Sequence, residues 1–313
     1  MSELVIGIDL GGTNIKGALI DTGGNIVSKQ EIPTMANGGP GIVAGRISGM
    51  IDELGRRAAD SGNNVAGVGI GIPGQPDKVK GEVVFAPNLH WHHVPLLSLL
   101  NLKKDLPVYL DNDANVAALG EQWRGAGRGA LNMIMVTIGT GIGGGLILDG
   151  RLYSGTTGTA GEVGHTVIDP QGPQCSCGRR GCLETLTSAT AMVRMAKEAI
   201  DRGRVTALFR EENLEARDIV IAANAGDDVA REIIEQAAYY LGIGLANLIN
   251  LFNPDTIVIG GGVSKAGPIL FDPLCRTVVE WSLEAPCKAV KIVPAELGNN
   301  AGCIGAGALV LQS

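Results

Sequence analysis

One imidazole and three thiols stand close together in the chain: His165, then Cys175, Cys177 and Cys182. That donor set suits a tetrahedral Zn2+ whose four positions are all filled by protein, a structural metal with no open position for hydrolysis. The H-x9-C-x-C-x4-C spacing differs from that of ordinary zinc fingers, and three reduced thiols in a loop are the alternative. Glycine suggests a second chemistry. Asp9-Leu10-Gly11-Gly12-Thr13 and Thr137-Ile138-Gly139-Thr140-Gly141 each lie between two apolar runs. Backbone without Cβ approaches phosphate oxygens closely and turns N–H groups toward them. Thr13, Thr137 and Thr140 add hydroxyl donors. Neither turn is G-x-x-x-x-G-K-[ST], so neither is a P-loop. Gly141-Ile-Gly-Gly-Gly145 runs into a strand rather than a helix, which excludes a dinucleotide fingerprint. A pair of tight hairpins is the plain alternative. The third candidate is a carboxylate. Asp113, following a short apolar run, is either a base at the end of a strand or a helix N-cap, and Asp111 competes with it.

The elements that must hold these residues read as α/β. Residues 3–10 and 14–20 form a hairpin, and Asn25 to Ile32 a third strand after a glycine turn. Ile42, Ile47, Ile51 and Leu54 place a helix over 41–60. Val65–Ile72 and Pro107–Leu110 are strands, and a helix starts near Asp113. Leu131–Thr137 and Ile142–Leu148 then repeat the opening strand, glycine turn and strand, which predicts two related halves. Residues 150–185 read as a loop long enough to imply function or a metal. Helices follow at 188–201, 217–225 and 228–250, with Leu248, Leu251 and Phe252 as core. A strand at 255–260, a helix near 267–281, a strand at 289–293 and a helix from 301 complete an alternating pattern. His90, His92 and His93 read as loop residues, Trp91 as packing, and Arg179 and Arg180 as a solvated turn.

Composition narrows the function. At roughly 100–200 residues per domain, 313 residues make two domains or one large one. Lys plus Arg is 25 and Asp plus Glu is 32, for a net charge of −7 with no basic run, which argues against nucleic acid as partner. No apolar stretch is long enough to span a membrane, and no signal peptide is expected. Six cysteines are too sparse for a disulfide scaffold, so a cytoplasmic chain with one metal cluster and three ordinary thiols is expected. The 47 glycines are roughly twice the ordinary ~7% share and lack a collagen period, which points to backbone drawn close to ligands.

The glycine turns, together with Ile259-Gly260-Gly261-Gly262-Val263, resemble the two phosphate motifs and the adenosine motif of the sugar kinase, actin and Hsp70 ATPase superfamily. The resemblance implies two ribonuclease-H-like α/β domains with an interdomain cleft for ATP. Asp9 would face the Mg2+–phosphate end. Gly11, Gly12, Thr13, Thr137, Gly139, Thr140 and Gly141 would serve the phosphates, and Gly260, Gly261 and Gly262 the adenosine. Gly164-His165 with Cys175-Ser-Cys177-Gly178-Arg-Arg-Gly181-Cys182-Leu-Glu184 is similar to the zinc motif of the ROK family, and the stretch from Ile138 to His165 fits that family's long signature.

The ROK resemblance carries over residue by residue. N-D-A-N at Asn112–Asn115 looks like the segment whose Asp is the catalytic base, which favours Asp113. Asn88, Gly74 and Asn112 fall where the family meets the sugar. Glu162, His165 and Glu184 match the residues that hold its anomeric side, so His165 would serve zinc with one nitrogen and sugar with the other. Thr185-Leu-Thr-Ser-Ala-Thr-Ala191 resembles the S-A-T segment of bacterial members that phosphorylate glucose, whereas N-acetylhexosamine kinases tend to S-G-R and fructokinases to S-G-T. The resemblance implies transfer from ATP to the 6-hydroxyl of glucose by a homodimer or dimer of dimers. Kinases for N-acetylmannosamine, N-acetylglucosamine, fructose or allose, and a non-catalytic sugar-sensing regulator, are the alternatives. Regulators of the family carry a DNA-binding segment before the first phosphate motif, and with that motif starting at Asp9 none is expected. The expected domains are 1–115 joined by the C-terminal helix 301–313, and 116–300 with the zinc motif at 165–184.

Overall fold

Strand Glu3–Leu10 (β1) is buried almost end to end, which requires cover on both faces of its sheet. A computed structural model, describing residues 3–102, 106–210 and 213–312, supplies that cover. β1 pairs antiparallel with Asn14–Asp21 (β2), which pairs with Ile26–Pro33 (β3). Helix Pro40–Asp60 (α1) opens with proline in its first turn, where the missing N–H costs nothing. Val43, Ile47, Met50 and Leu54 of α1 pack with Leu4, Ile6, Ile8 and Leu10 on one face of the sheet. Asn64–Ile72 (β4) then pairs parallel to β1. Gln75–Asp77 (β5), Glu82–Ala86 (β6) and Trp91–Val94 (β7) form a separate three-stranded sheet, followed by the short helix Leu96–Leu99 (α2). His92 and His93 are therefore strand residues rather than loop residues, while Trp91 is packed in the core at 1% exposure.

Val108–Asn112 (β8) completes the first sheet in the order β3-β2-β1-β4-β8 and leads into helix Asp113–Arg124 (α3). The second sheet contains Met133–Ile138 (β9), Ile142–Leu148 (β10) and Arg151–Leu152 (β11). Helices Leu183–Thr187 (α4), Ala189–Asp201 (α5), Ala216–Asn224 (α6) and Asp228–Phe252 (α7) precede strand Thr256–Gly260 (β12). Pro268–Trp281 (α8), Glu284–Ala289 (α9), Lys291–Pro294 (β13) and Ala301–Leu311 (α10) follow. The order β11-β10-β9-β12-β13 repeats that of the first sheet: a hairpin, then crossover strands added on one side. β12 runs parallel to both β9 and β13, as β4 does to β1 and β8. The repeat read from the two glycine turns is thus a repeat of whole sheets.

Two compact units emerge, one of Met1–Ala130, Gly145–Gly161 and Glu296–Ser313, the other of Leu131–Gly144 and Glu162–Ala295. In the first unit, α10 lies on the sheet face opposite α1, and glycine makes that approach possible. A Cβ on Gly7 would overlap the Cys303 carbonyl, one on Gly69 the Ala306 carbonyl, and one on Gly305 the Val116 carbonyl of α3. Part of the glycine excess therefore serves helix-on-sheet packing and not a ligand. In the second unit α7 buries Leu248, but Leu251 is 76% exposed and stands outside the core expected for it. Ile42 of α1, expected on the apolar face, is likewise solvent-facing. Among the described residues no helix is long and apolar enough to cross a membrane.

Candidate active site and zinc centre

In the first unit the chain turns sharply between β1 and β2. The Gly11 N–H donates to Asn14 O at 2.9 Å, and a Cβ on Gly11 would crowd that same carbonyl. The buried Thr34 secures the turn, its hydroxyl donating to Gly11 O at 2.6 Å and its N–H to Thr13 O at 2.7 Å. Asp9, at the end of β1, is pushed upward in pKa by burial, with Lys16 opposing and Glu31 reinforcing. Gly302 of α10 lies against its carboxylate, where a Cβ would come within 2.6 Å of Cγ. A Cβ built on Gly12 would come into contact with the exposed Asn88, 3.4 Å from its carbonyl oxygen.

The β8–α3 junction separates three neighbouring polar residues by role. Asn112 is the N-cap of α3: its Oδ1 accepts from Ala114 N at 2.8 Å and Asn115 N at 3.3 Å. Its Nδ2 donates to Gly74 O at 2.9 Å, which ties two expected sugar residues together. Asp111 is fully buried and occupied, accepting from Lys78 Nζ, from Asn115 Nδ2 at 2.8 Å and from Asn112 N at 2.8 Å. Asp113 is therefore neither the cap nor one of several equal carboxylates. It is partly accessible yet surrounded by protein, and burial raises its pKa to about 6, helped by the Asp9 charge and opposed by the Ala114 N–H. A carboxylate with that pKa is mostly ionised at neutral pH and still basic enough to take a proton.

In the second unit the β9–β10 turn is closed by the Gly139 N–H on Gly141 O at 3.0 Å. Gly261, at φ 88°, leads the chain out of β12 directly against this strand end, and a Cβ there would overlap Ile138 O. The glycines assigned to phosphate and to adenosine are thus neighbours. A cavity of about 520 Å3 opens beside them, lined by Gly139, Thr140, Thr190, Glu215, Ala216 and Gly262 among others. Residues 214–217 were not foreseen from sequence as part of it. The available signal was the acidic capping box that starts α6, formed by Glu215 and Asp218.

Glu162, His165 and Glu184 also come together in this unit. His165 Nε2 is 4.0 Å from Glu162 Oε2, and Nδ1 is 3.7 Å from Glu184 Oε1. Nδ1 points at the thiols, 3.6 Å from Cys175 Sγ, and Cys177 Sγ is 3.6 Å from Cys182 Sγ. One ligand atom from each of His165, Cys175, Cys177 and Cys182 lies within 4.8 Å of all the others. Ligands about 2.0–2.3 Å from a tetrahedral Zn2+ lie roughly 3.3–3.8 Å apart, the range of both 3.6 Å separations, so the set could hold that ion. The loop holding them is ordered by short bridges between Val167 and Cys182 and between Gln174 and Arg180, with Arg179 and Arg180 exposed as expected.

The sequence profile of the ROK family matches residues 5–313. The glucokinase of Halalkalibacterium halodurans is 43% identical over 312 residues, 98% of this chain and 94% of that protein. A ROK family glucokinase from Streptomyces griseus, solved in complex with glucose and AMPPNP, superposes with a TM-score of 0.80 at 36% identity, over 99% of this chain and 100% of that one. A ROK family transcriptional regulator, a homologue of the E. coli MLC protein, superposes at 0.89 with 31% identity, over 100% of this chain and 78% of its own. The chain belongs to the ROK family and has its mixed α/β, actin-like ATPase fold.

Proposed function

We propose that the chain is a glucokinase, transferring the γ-phosphoryl group of ATP to the 6-hydroxyl of D-glucose. The observation that carries this is Asp113, a carboxylate with a pKa of about 6 beside an N-cap that grips the Gly74 carbonyl. The glucose and AMPPNP held by the Streptomyces griseus relative supply the two ligands. In the proposed step the sugar O6 bonds to the γ-phosphorus while its proton passes to Asp113. The bond from that phosphorus to the bridging oxygen breaks, and ADP leaves with the electron pair. Little covalent chemistry falls to the protein, so positioning and electrostatics supply most of the rate.

Gly74, Asn88 and Asn112 are assigned to the sugar, with Glu162, His165 Nε2 and Glu184 on the hydroxyls at C1 and C2. The turns at Gly11–Thr13 and Thr137–Gly141 are assigned to the phosphates, and Gly260–Gly262 to adenosine. Asp9 would offer carboxylate oxygens of the kind Mg2+ prefers, and that ion, when bound, would supply neutralisation of the phosphate charge. His165 Nδ1 and the thiols of Cys175, Cys177 and Cys182 would hold Zn2+, and a ring held in that way would keep Nε2 for the sugar. We further assign the enzyme to the cytoplasm, to glycolysis, and to a homodimer or dimer of dimers.

Likeness to the transcriptional regulator favours a second possibility, a sugar sensor without catalysis. Asp113 and both phosphate turns would then have no task, and sugar would bind without ADP release.

A panel of sugars with ATP, read by ADP release, separates these. Glucose is expected to give kcat/KM at least about 10-fold above N-acetylglucosamine, N-acetylmannosamine and fructose. A site built around a C2 hydroxyl leaves buried polar groups unpaired when that group is replaced. Mannose, differing only in C2 configuration, is the expected side substrate. An N-acetylated hexosamine that outperforms glucose overturns the sugar assignment, and no ADP release with any sugar favours the sensor.

A further inference from the structure

Three residues that take no part in the proposed chemistry hold the second glycine turn. The Ala189 N–H donates to Gly139 O at 2.9 Å, and Thr190 Oγ1 donates to Thr140 O at 2.7 Å. Ser188 Oγ lies 2.9 Å from Thr190 Oγ1 and caps α5 by accepting from Ala191 N at 3.2 Å. A hydroxyl has one proton, and that of Thr190 is committed to Thr140 O. Ser188 is therefore the donor of the pair, and a relay runs from the Ser188 hydroxyl through that of Thr190 to the turn. Two consecutive carbonyls of the turn are taken up by the start of α5. In a trans peptide the C=O and the following N–H point in opposite directions. Anchoring Gly139 O and Thr140 O thus aims the Thr140 and Gly141 N–H groups away from α5. Thr190 also lines the 520 Å3 cavity beside Gly139 and Gly262.

We propose that Thr190, backed by Ser188, is a positioning residue that sets the peptide planes of the Thr140–Gly141 turn for the phosphate tail of the nucleotide. This rests on the kinase assignment above and goes beyond it by giving the 188–190 segment a nucleotide-side role. The sugar would feel its loss little.

Thr190→Val keeps the shape and removes the hydroxyl. It spares Ser188, which has a second duty as cap. Binding of AMPPNP and of glucose, measured separately by calorimetry, reads the two sides independently. The expected result is AMPPNP affinity about 10-fold weaker, the scale of one hydrogen bond, with glucose affinity within about twofold and recovery in Thr190→Ser. In turnover, the KM for ATP should rise by a similar factor with the KM for glucose unchanged. Should the valine variant not fold, Thr190→Ala makes the same test. AMPPNP affinity within twofold of the parent in either variant, or equal losses for both ligands, overturns the proposal. A parent chain that binds AMPPNP but passes no phosphoryl group to glucose rejects the kinase assignment, and calorimetry still decides the role of Thr190.

Discussion

Asp113→Asn should lower kcat by about 10²–10⁴-fold while changing glucose affinity little, the range usual for loss of a general base. Asparagine keeps the size and polarity of the side chain and removes the proton acceptor. Steady-state kinetics with glucose and ATP check this, and a variant that keeps more than about a third of the parent kcat rejects Asp113 as the base. Acidity should act in the same direction. The carboxylate is held at a pKa of about 6, chiefly by burial, so it becomes protonated as the pH falls through that value. kcat/KM should therefore fall tenfold per pH unit below about 6, because this ratio reports the free enzyme. Stability carries the opposite sign. A carboxylate whose pKa is raised on folding costs stability once the pH exceeds its unfolded value near 3.8, and that cost is fully present above about 6. Asp113→Asn should thus melt higher than the parent at neutral pH while being nearly inactive. Lower activity with lower melting would point instead to damage of the fold.

Cys177→Ser should lose the metal. The purified parent is expected to hold about one Zn2+ per chain and the variant well under half, by elemental analysis. A metal that binds only the folded chain stabilises it by about 4 kcal/mol when free metal is a thousandfold above Kd. A melting point lower by roughly 10 °C is the expected scale. Glucose affinity should fall as well, because His165 Nδ1 and Glu184 Oε1 both sit against Cys175 Sγ, at 3.6 and 3.1 Å. A metal-free preparation with full activity and unchanged melting would remove zinc from the account.

Much of this was legible in the sequence for identifiable physical reasons. β1, β2, β4 and β9 are short apolar runs bounded by glycine, and α1 and α7 carry long apolar faces, so their boundaries fell within a few residues. The Cys3His cluster was legible because thiols and imidazole are rare and clustered. The β5–β7 sheet was not, since its strands are short, contain Pro76, and put exposed His92 and His93 in β7. Which residue caps α3 was not legible, because Asn112 and Asp113 are both good caps and only the bonds to Ala114 and Asn115 distinguish them. Glycine was the most ambiguous signal. Gly11 and Gly139 shape turns, whereas Gly7, Gly69 and Gly305 admit α10 to the sheet, and composition counts both kinds alike.

Transfer of the γ-phosphoryl group of ATP to O6 of glucose by this chain is tested most directly through its product. Incubating the purified protein with ATP, Mg2+ and 13C-glucose and following phosphorus and carbon NMR identifies the product and its linkage directly. Glucose 6-phosphate should form in equal amount to ADP, with the phosphorus–carbon coupling on C6, and should be almost absent with Asp113→Asn. ADP formed without sugar phosphate, phosphate on another carbon, or undiminished product from Asp113→Asn would contradict it.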